Sequence, residues 1–408
     1  MMKKSIRIVA IIALAALAAL AVMPAAADDG AAINGYVRSK VGALVDGGDY
    51  FIAENVLDLR LSYTLGAAGF YANPVLYERD GAVLPVELRE AYIDMRGDLL
   101  DVRVGKQQII WGKGDGVFIT DIVSPKDLSQ FLIPDFEELR LAVTGAKINL
   151  HAGTHGLELA WLPWFTPSVT PSATGIWAPT MPFATTPTIQ SGTLPGFNLG
   201  NSEYFARYSW MGSSFDVSLM GGWFWNDTPA YKVVSLGPLT VKPEYYQLAA
   251  GGYAVSGALG PFILRSEGAF YGNKRFQGNP MVYPDGYAEK NEIQYLVGSD
   301  FSVAGYNFGV QFIQDIILDH EDDLVDDAVK NTATFVVAKT FLRDTLTVEV
   351  FSYVGLAAPD ALIKPKVTLD VSDGLEVFAG AYIFLGDSGD FGQYDENDGV
   401  YAGAKLSF

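Results

Sequence analysis

The sequence predicts an all-β fold: a transmembrane antiparallel β-barrel of about 16–18 strands with an inward-folded third extracellular loop. Three observations point there. Short segments alternate apolar and polar residues with a period of two. Their connections alternate between short turns and longer, more polar links. The chain opens on a secretory leader and closes on an alternating segment that ends in Phe408.

Residues 1–27 read as a signal peptide. Lys3, Lys4 and Arg7 precede the apolar run 8–23, and Ala25, Ala26 and Ala27 supply the small residues of a cleavage site. Asp28 then begins the mature chain, which leaves 28–408 for the barrel. No later apolar run approaches the roughly 20 residues that a spanning helix needs. The chain contains no Cys, which excludes a lipoprotein anchor, disulfides, thiol catalysis and thiolate metal sites. Half of the residues are hydrophobic and 13% are aromatic, as expected where one face of every strand meets lipid. The formal net charge of −19 argues against a nucleic-acid partner, more so once the three basic leader residues are removed.

The segments follow in order. In 34–43, Val37 and Val41 oppose Arg38 and Lys40. In 55–65, Leu57, Leu59, Leu61, Tyr63 and Leu65 share one face, and Asp58, Arg60, Ser62 and Thr64 the other. In 99–110, Leu100, Val102 and Val104 oppose Asp101 and Arg103. Phe215, Val217, Leu219, Trp223 and Trp225 line one face of a later segment, and Tyr306, Phe308, Val310 and Phe312 alternate with Asn307, Gly309 and Gln311. Short turns are expected near residues 66–67, 97–98, 153–154, 212–213, 257–260, 304–305, 343–344 and 372–373. Longer links lie near 77–85, 111–137, 166–201, 226–243, 273–288, 318–330, 355–361 and 385–398. That alternation gives about 18 segments with both ends on the periplasmic side. In 400–408, Leu406 and Phe408 alternate with Lys405 and Ser407. A terminal Phe closing such a strand resembles the C-terminal signal read by the barrel assembly machinery.

Residues 111–138 break the period. Gly112, Gly114 and Gly116 make the start pliable, and Ser124, Pro125 and Asp127 read as a helix start that Pro134 soon ends. The run VRVGKQQIIWGKGDGVFITDIVSPKDLSQFLIPDFEELRLAV resembles a group of bacterial outer-membrane barrels of unknown function, classed beside alginate-export and porin-like barrels. Residues 105–112 and 121–128 are its specific parts. The resemblance implies an outer-membrane location and a conduit role. In general diffusion porins the third extracellular loop folds inward, so 111–138 is expected to constrict the lumen, with a surface loop as the competing reading. It offers Asp115, Asp121, Asp127, Asp135, Glu137 and Glu138, with Lys113 and Lys126. The opposing wall would carry Arg38, Lys40, Arg60 and Arg103, joined by Lys405 if the last strand pairs with the first. An acidic loop facing a basic wall would orient polar solutes and favour cations over anions.

Enzyme signatures are missing: there is no G-x-S-x-G and no H-E-x-x-H, and residues 112–116 lack the ending of a phosphate-binding loop. No catalytic residue or cofactor is expected, and His151 and His155 make a poor metal site. The acidic stretch with Asp319, Glu321, Asp322, Asp323, Asp326 and Asp327 is a weak cation candidate whose spacing departs from the EF-hand, and a solvated loop is its ordinary reading. Residues 166–201, rich in Pro, Thr and Ser with interspersed aromatics, would cover the barrel mouth or contact a partner. Trp161, Trp164, Trp223 and Trp225 would form an aromatic girdle. The expected function is a porin-like channel for small solutes. The expected partners are outer-membrane lipid and lipopolysaccharide, the assembly machinery through Phe408, the solute itself and, by analogy, further copies in a homo-oligomer. The alternatives are a hydrophobic conduit lined by Trp111, Phe118, Phe131, Leu132 and Phe136, or an adhesin acting through its long loops.

Overall fold

In lipid every backbone N–H and C=O needs a partner within the protein, so alternating strands must close into a barrel. The computed structural model describes residues 30–183, 185–357 and 359–408, so the leader 1–27 and Asp28 lie outside the described residues. The main sheet has 19 members, one of which is the two-residue ladder Ala82–Val83. The other eighteen form the wall. They are β1 (Ala31–Leu44), β2 (Tyr50–Leu65), β3 (Ala68–Arg79), β4 (Glu87–Met95), β5 (Leu100–Gln107) and β6 (Val143–Ala152). Next come β7 (His155–Leu162), β8 (Glu203–Met211), β9 (Phe215–Trp225), β10 (Gln247–Leu259), β11 (Phe262–Gln277) and β12 (Tyr287–Val303). The last are β13 (Tyr306–Ile317), β14 (Val329–Phe341), β15 (Leu346–Gly355), β16 (Asp360–Ser372), β17 (Leu375–Leu385) and β18 (Gly399–Ser407).

Each strand pairs antiparallel with its neighbours in sequence, and β1 closes onto β18 with Arg38 opposite Lys405 and Val41 opposite Ala402. The strand count falls at the upper end of the expected range. Short turns alternate with long links, as the sequence predicts. The faces follow the period: on β2, Glu54, Val56 and Asp58 are buried inward while Leu61, Tyr63 and Leu65 are exposed. Phe70, Val104, Leu159, Trp223, Phe270 and Phe335 continue the exposed apolar surface round the wall. A closed barrel with that belt is an outer-membrane span.

The lumen is partly filled. One apolar cluster joins Ile109, Trp111 and Val123 to Leu162, Phe205, Met220, Phe224 and Leu248 on the wall. A second joins Ile133 to Leu362, Tyr382 and Phe384, and Trp177 from the link after β7 packs into it. Outside the wall, Ala230–Leu236, Leu239–Glu244 and Thr188–Ile189 form a small separate sheet.

The helix expected from Ser124 does not form. The Ser124 hydroxyl accepts from Ile109 N (2.9 Å) and donates to Ile109 O (3.1 Å), so it ties two stretches of loop together instead of capping a helix. Lys126 bridges to Arg140 and Asp127 to Val169, which keeps this stretch extended. The helical turn comes after Pro134, at Phe136–Leu139.

Candidate functional site

The link between β5 and β6, residues 108–142, lies inside the barrel. Its first limb is bound to the far wall by polar contacts. The Glu267 carboxylate on β11 is 1% exposed and accepts from Lys113 N, from Thr120 N (3.3 Å) and from the Thr120 hydroxyl (2.6 Å). Two backbone donors and one hydroxyl thus satisfy the oxygens of this buried side chain. Gln311 on β13 accepts from Asp115 N (3.0 Å) and donates to Asp115 O (2.7 Å). Tyr353 and Tyr271 donate to the carbonyls of Gly116 (2.8 Å) and Ile119 (2.7 Å). Gly116 has φ +76°, and a Cβ there would lie 2.5 Å from the Tyr353 hydroxyl oxygen, so this position requires glycine. At the root of the limb, Trp111 is 2% exposed, donates from Nε1 to Glu158 (2.5 Å) and meets Phe205 edge-on.

The return limb is bound to the near wall. Lys364 donates to Leu132 O (2.7 Å) and Tyr382 to Ile133 O (3.0 Å). Glu138 accepts from both terminal nitrogens of Arg38, at 2.7 and 3.1 Å. Asp135 lies 3.7 Å from Lys366. The surrounding barrel strips part of the water from the Asp135 carboxyl, which is 63% exposed to the lumen, and so pushes it up, but Lys366, Lys40, Arg38 and Lys364 outweigh that and hold the group below the usual carboxylate range.

A cavity of about 380 Å³ opens beneath the return limb, towards the short-turn side. Arg38, Lys40, Arg60, Arg89, Lys366 and Lys405 line its wall together with Glu90 and Glu376, the last 3.7 Å from Lys405, and Asp135, Glu137 and Glu138 line its loop side. Lys40 donates to the Tyr382 hydroxyl (2.9 Å) and sits 4.4 Å from the Tyr401 ring centroid. A second cavity, of about 500 Å³, lies on the outer side among Lys274, Glu292, Asp315, Asp326, Lys330 and Asp390.

Four of the expected wall residues converge on the inner chamber: Arg38, Lys40, Arg60 and Lys405. Arg103 does not; it pairs with Asp94 at 3.1 Å, near the turn at 96–99. Arg89 and Lys366 were not expected there. Lys364 and Lys366 flank Pro365 with the two-residue period that marks one face, the signal that points Lys366 inward. On the loop, Asp135 and Glu137 reach the chamber. Asp121 does not: it is 1% exposed, accepts from Trp111 N (3.1 Å) and pairs with Arg140 at 2.5 Å, bracing the loop across its base. Lys113 and Asp115 face the other flank, on Ser256 (2.8 Å) and Arg265 respectively. Lys126 turns to Asp121 O (2.8 Å) and Asp227 (3.8 Å). Asp127 lines a small recess with Arg79 and Arg89.

The aromatic residues of the loop are packed into contacts. Phe118 stacks on Phe136 at 4.4 Å beneath Arg140, and Phe131 stacks among Trp177, Tyr394 and Phe384. Leu132 packs against that second cluster. In the acidic stretch, Glu321 pairs with Lys290 and accepts from the Tyr283 hydroxyl (2.7 Å), and Asp323 accepts from Asn279 Nδ2 (3.2 Å). Asp319, Glu321, Asp322 and Asp323 do not converge: among the described residues no group of three His or carboxylate side chains is placed to hold a metal ion.

Residues 72–161 match a family described as protein of unknown function (DUF1302), a match that contains the run quoted from the sequence. No curated protein matches the chain. In fold the chain is similar to Pseudomonas aeruginosa OccK2 (OpdF), solved in complex with glucuronate: TM-score 0.56, 11% identity, covering 94% of this chain and 98% of that one. It is also similar to a BenF-like porin from Pseudomonas fluorescens Pf-5: TM-score 0.56, 11% identity, 93% and 98% covered. A third likeness is to the outer membrane protein OpdK of Pseudomonas aeruginosa: TM-score 0.54, 9% identity, 93% and 98% covered. The shared property is the barrel fold.

Proposed function

We propose that the chain is a porin-like outer-membrane channel for small polar solutes and catalyses no reaction. The observation that carries this reading is the charge separation across the inner chamber: six cations, Arg38, Lys40, Arg60, Arg89, Lys366 and Lys405, outnumber Glu90 and Glu376 on the wall, and Asp135, Glu137 and Glu138 face them from the loop. Such a field turns a dipolar solute so that its negative end faces the wall, and filters by charge arrangement as well as by width. A small carboxylate of sugar-acid size is the solute class this arrangement favours. The volume supports it, since pockets for small ligands begin near 300 Å³. So does the glucuronate bound by OccK2, a barrel of the same fold.

The loop carries more acid than base, which on sequence alone favours cations. In the structure Asp115, Asp121, Asp135 and Glu138 each have an Arg or Lys within 4.0 Å. The field is therefore transverse, and the net ion preference is weak. A hydrophobic conduit is disfavoured because Trp111, Phe118, Phe131, Leu132 and Phe136 hold the loop in place.

The test is planar-bilayer recording of the refolded protein in a KCl gradient, with glucuronate or uncharged glucose added to one side. Conductance with brief interruptions by glucuronate, and fewer by glucose, is the expected result. A folded barrel that carries no current would overturn the channel reading, and equal interruption by both sugars would overturn the carboxylate preference.

A further inference from the structure

The link between β7 and β8 is unlike the rest of the chain: between Glu158 and Glu203 there is no Asp, Glu, Lys or Arg. Its last part is exposed and apolar. Leu194, Phe197 and Leu199 are 53%, 59% and 69% exposed. Bare apolar side chains on a mobile tip would be unremarked, but this stretch is tied down. The Tyr204 hydroxyl donates to Leu199 O (2.9 Å), Gln247 Nε2 to Gly200 O (2.9 Å) and Trp225 Nε1 to Asn201 O (2.8 Å). Asn201 Nδ2 closes the turn onto Gly196 O (2.7 Å).

Two of these ties say where the stretch lies. Tyr204 shares the outward face of β8 with Tyr208 and Trp210, and Trp225 shares the outward face of β9 with Leu219 and Trp223. The opposite faces carry Phe205 and Phe224, both buried in the lumen. The side chains that hold residues 199–201 thus come from the lipid side of the wall, at the strand ends nearest the long links. Trp164, itself 54% exposed, packs against Phe197 with the rings tilted by 36° and their centroids 5.6 Å apart. Trp161, Trp164, Tyr204 and Trp223 form the aromatic rim of the lipid-facing belt there, and residues 194–199 continue it beyond the strand ends.

We propose that residues 194–199 lie in the outer leaflet of the membrane as an interfacial anchor, with lipid as their partner. Three observations favour lipid over water or a second protein. The apolar side chains are continuous with the lipid-facing belt. The link carries no charge that would have to be desolvated on entering the leaflet. Tyr and Trp bridge the wall to the anchor with their polar ends satisfied, as such residues do at an interface. The same link reaches inward, where Trp177 stacks on Phe131 of the inner loop, so the anchor fixes the outer end of a strap whose inner end touches the constriction.

The absence of native Cys makes the test clean. Phe197→Cys, Leu199→Cys and, as an aqueous reference in another long link, Asp322→Cys are labelled singly with an environment-sensitive fluorophore. The full barrel is then reconstituted in phosphatidylcholine vesicles, folding being checked by heat-modifiable migration. Quenching is measured with iodide and with phospholipid spin-labelled near the head of the acyl chain. The expected result is strong quenching by the spin-labelled lipid and weak quenching by iodide at 197 and 199, and the reverse at 322. Iodide quenching at 197 and 199 as strong as at 322 would overturn the proposal. Shielding from both quenchers, or Cys–Cys cross-linking between barrels, would overturn it in favour of a protein contact. Leu199→Cys keeps the test open if Phe197→Cys does not fold, because position 199 is held through its backbone carbonyl.

Discussion

The inner loop has two unlike flanks. On the flank facing β7 to β10, Ile109, Trp111 and Val123 meet Leu162, Phe205, Met220, Phe224 and Leu248, and the space between loop and wall is filled by apolar side chains. On the flank facing β1 to β4 and β16 to β18, Ile133 packs on Leu362, Tyr382 and Phe384 towards the long links, and below that contact the Arg38–Glu138 and Lys366–Asp135 pairs hold the loop above an open chamber. Both flanks obey the same period of two. They differ in what the inward row carries, and a wet lumen is therefore not a uniform property of the wall. Apolar packing fills the space between loop and wall along one side, whereas on the other it is confined to the contact of Ile133 with Leu362, Tyr382 and Phe384 and leaves a charged chamber open below. On the proposed channel reading, the path for a solute follows the charged flank.

The largest change is expected when both flanks are lost together. Shortening the loop between Gly114 and Pro134 leaves the wall alone to set the width, and a barrel of this strand number encloses an aqueous channel. Single-channel conductance in 1 M KCl should then rise several-fold. An unchanged conductance in a folded barrel would mean that the loop does not limit flow.

The next effect separates the flanks. Trp111→Ala empties the packed side and strips Glu158 of its indole donor, and a buried Trp-to-Ala change costs about 3–5 kcal/mol. Arg60→Ala touches the charged side, where Arg60 is 52% exposed and its buried partner Asp58 keeps the Asn73 amide (3.1 Å) and Arg89 (3.7 Å), so the cost stays at about 1 kcal/mol. The expected order is a marked fall in the urea midpoint for Trp111→Ala and almost none for Arg60→Ala. Reversal potential should respond the other way, moving towards cations for Arg60→Ala. Equal loss of stability in the two variants would erase the distinction between the flanks.

The smallest effect is a matter of pH. The folded-state carboxyl of Asp135 is held below its ordinary range, so its pairing with Lys366 is present above the unfolded pKa and is lost as pH falls through the folded one. The parent and Asp135→Asn should therefore differ in reversal potential down to about pH 4, the ordinary carboxyl value, and converge only at lower pH. Convergence already near pH 5 would show that the wall cations do not act on Asp135.

The barrel was legible because lipid imposes a simple rule: one face of each strand must be apolar, and the turns must alternate in length. Leu59, Leu61 and Tyr63 on β2 carry that rule in the sequence itself. The inner loop was legible as an interruption of the period, and Arg38, Lys40, Arg60 and Lys405 as inward residues of the wall, of which Arg38 pairs with the loop at Glu138 while Arg60 and Lys405 pair with Asp58 and Glu376 on the wall. Height within the barrel was not legible. Arg103 has the inward parity but sits near the short turns, because period two gives the face and says nothing of depth. The side chains that hold the loop were also invisible, since Glu267, Gln311, Tyr353 and Lys364 lie more than a hundred residues away along the chain. The misread helix has the same origin: Ser124 found a tertiary partner in Ile109 that a local capping rule does not contain.

Which flank conducts is best measured by cysteine accessibility, again on a chain without native Cys. Thr368 lines the inner chamber, whereas Met220 is 6% exposed within the packed flank. Single variants Thr368→Cys and Met220→Cys are held open in a planar bilayer while a small, charged, membrane-impermeant thiol reagent is added. Current should fall stepwise for Thr368→Cys and stay constant for Met220→Cys. A current that falls for Met220→Cys and is untouched for Thr368→Cys would place the path on the packed side and contradict the account.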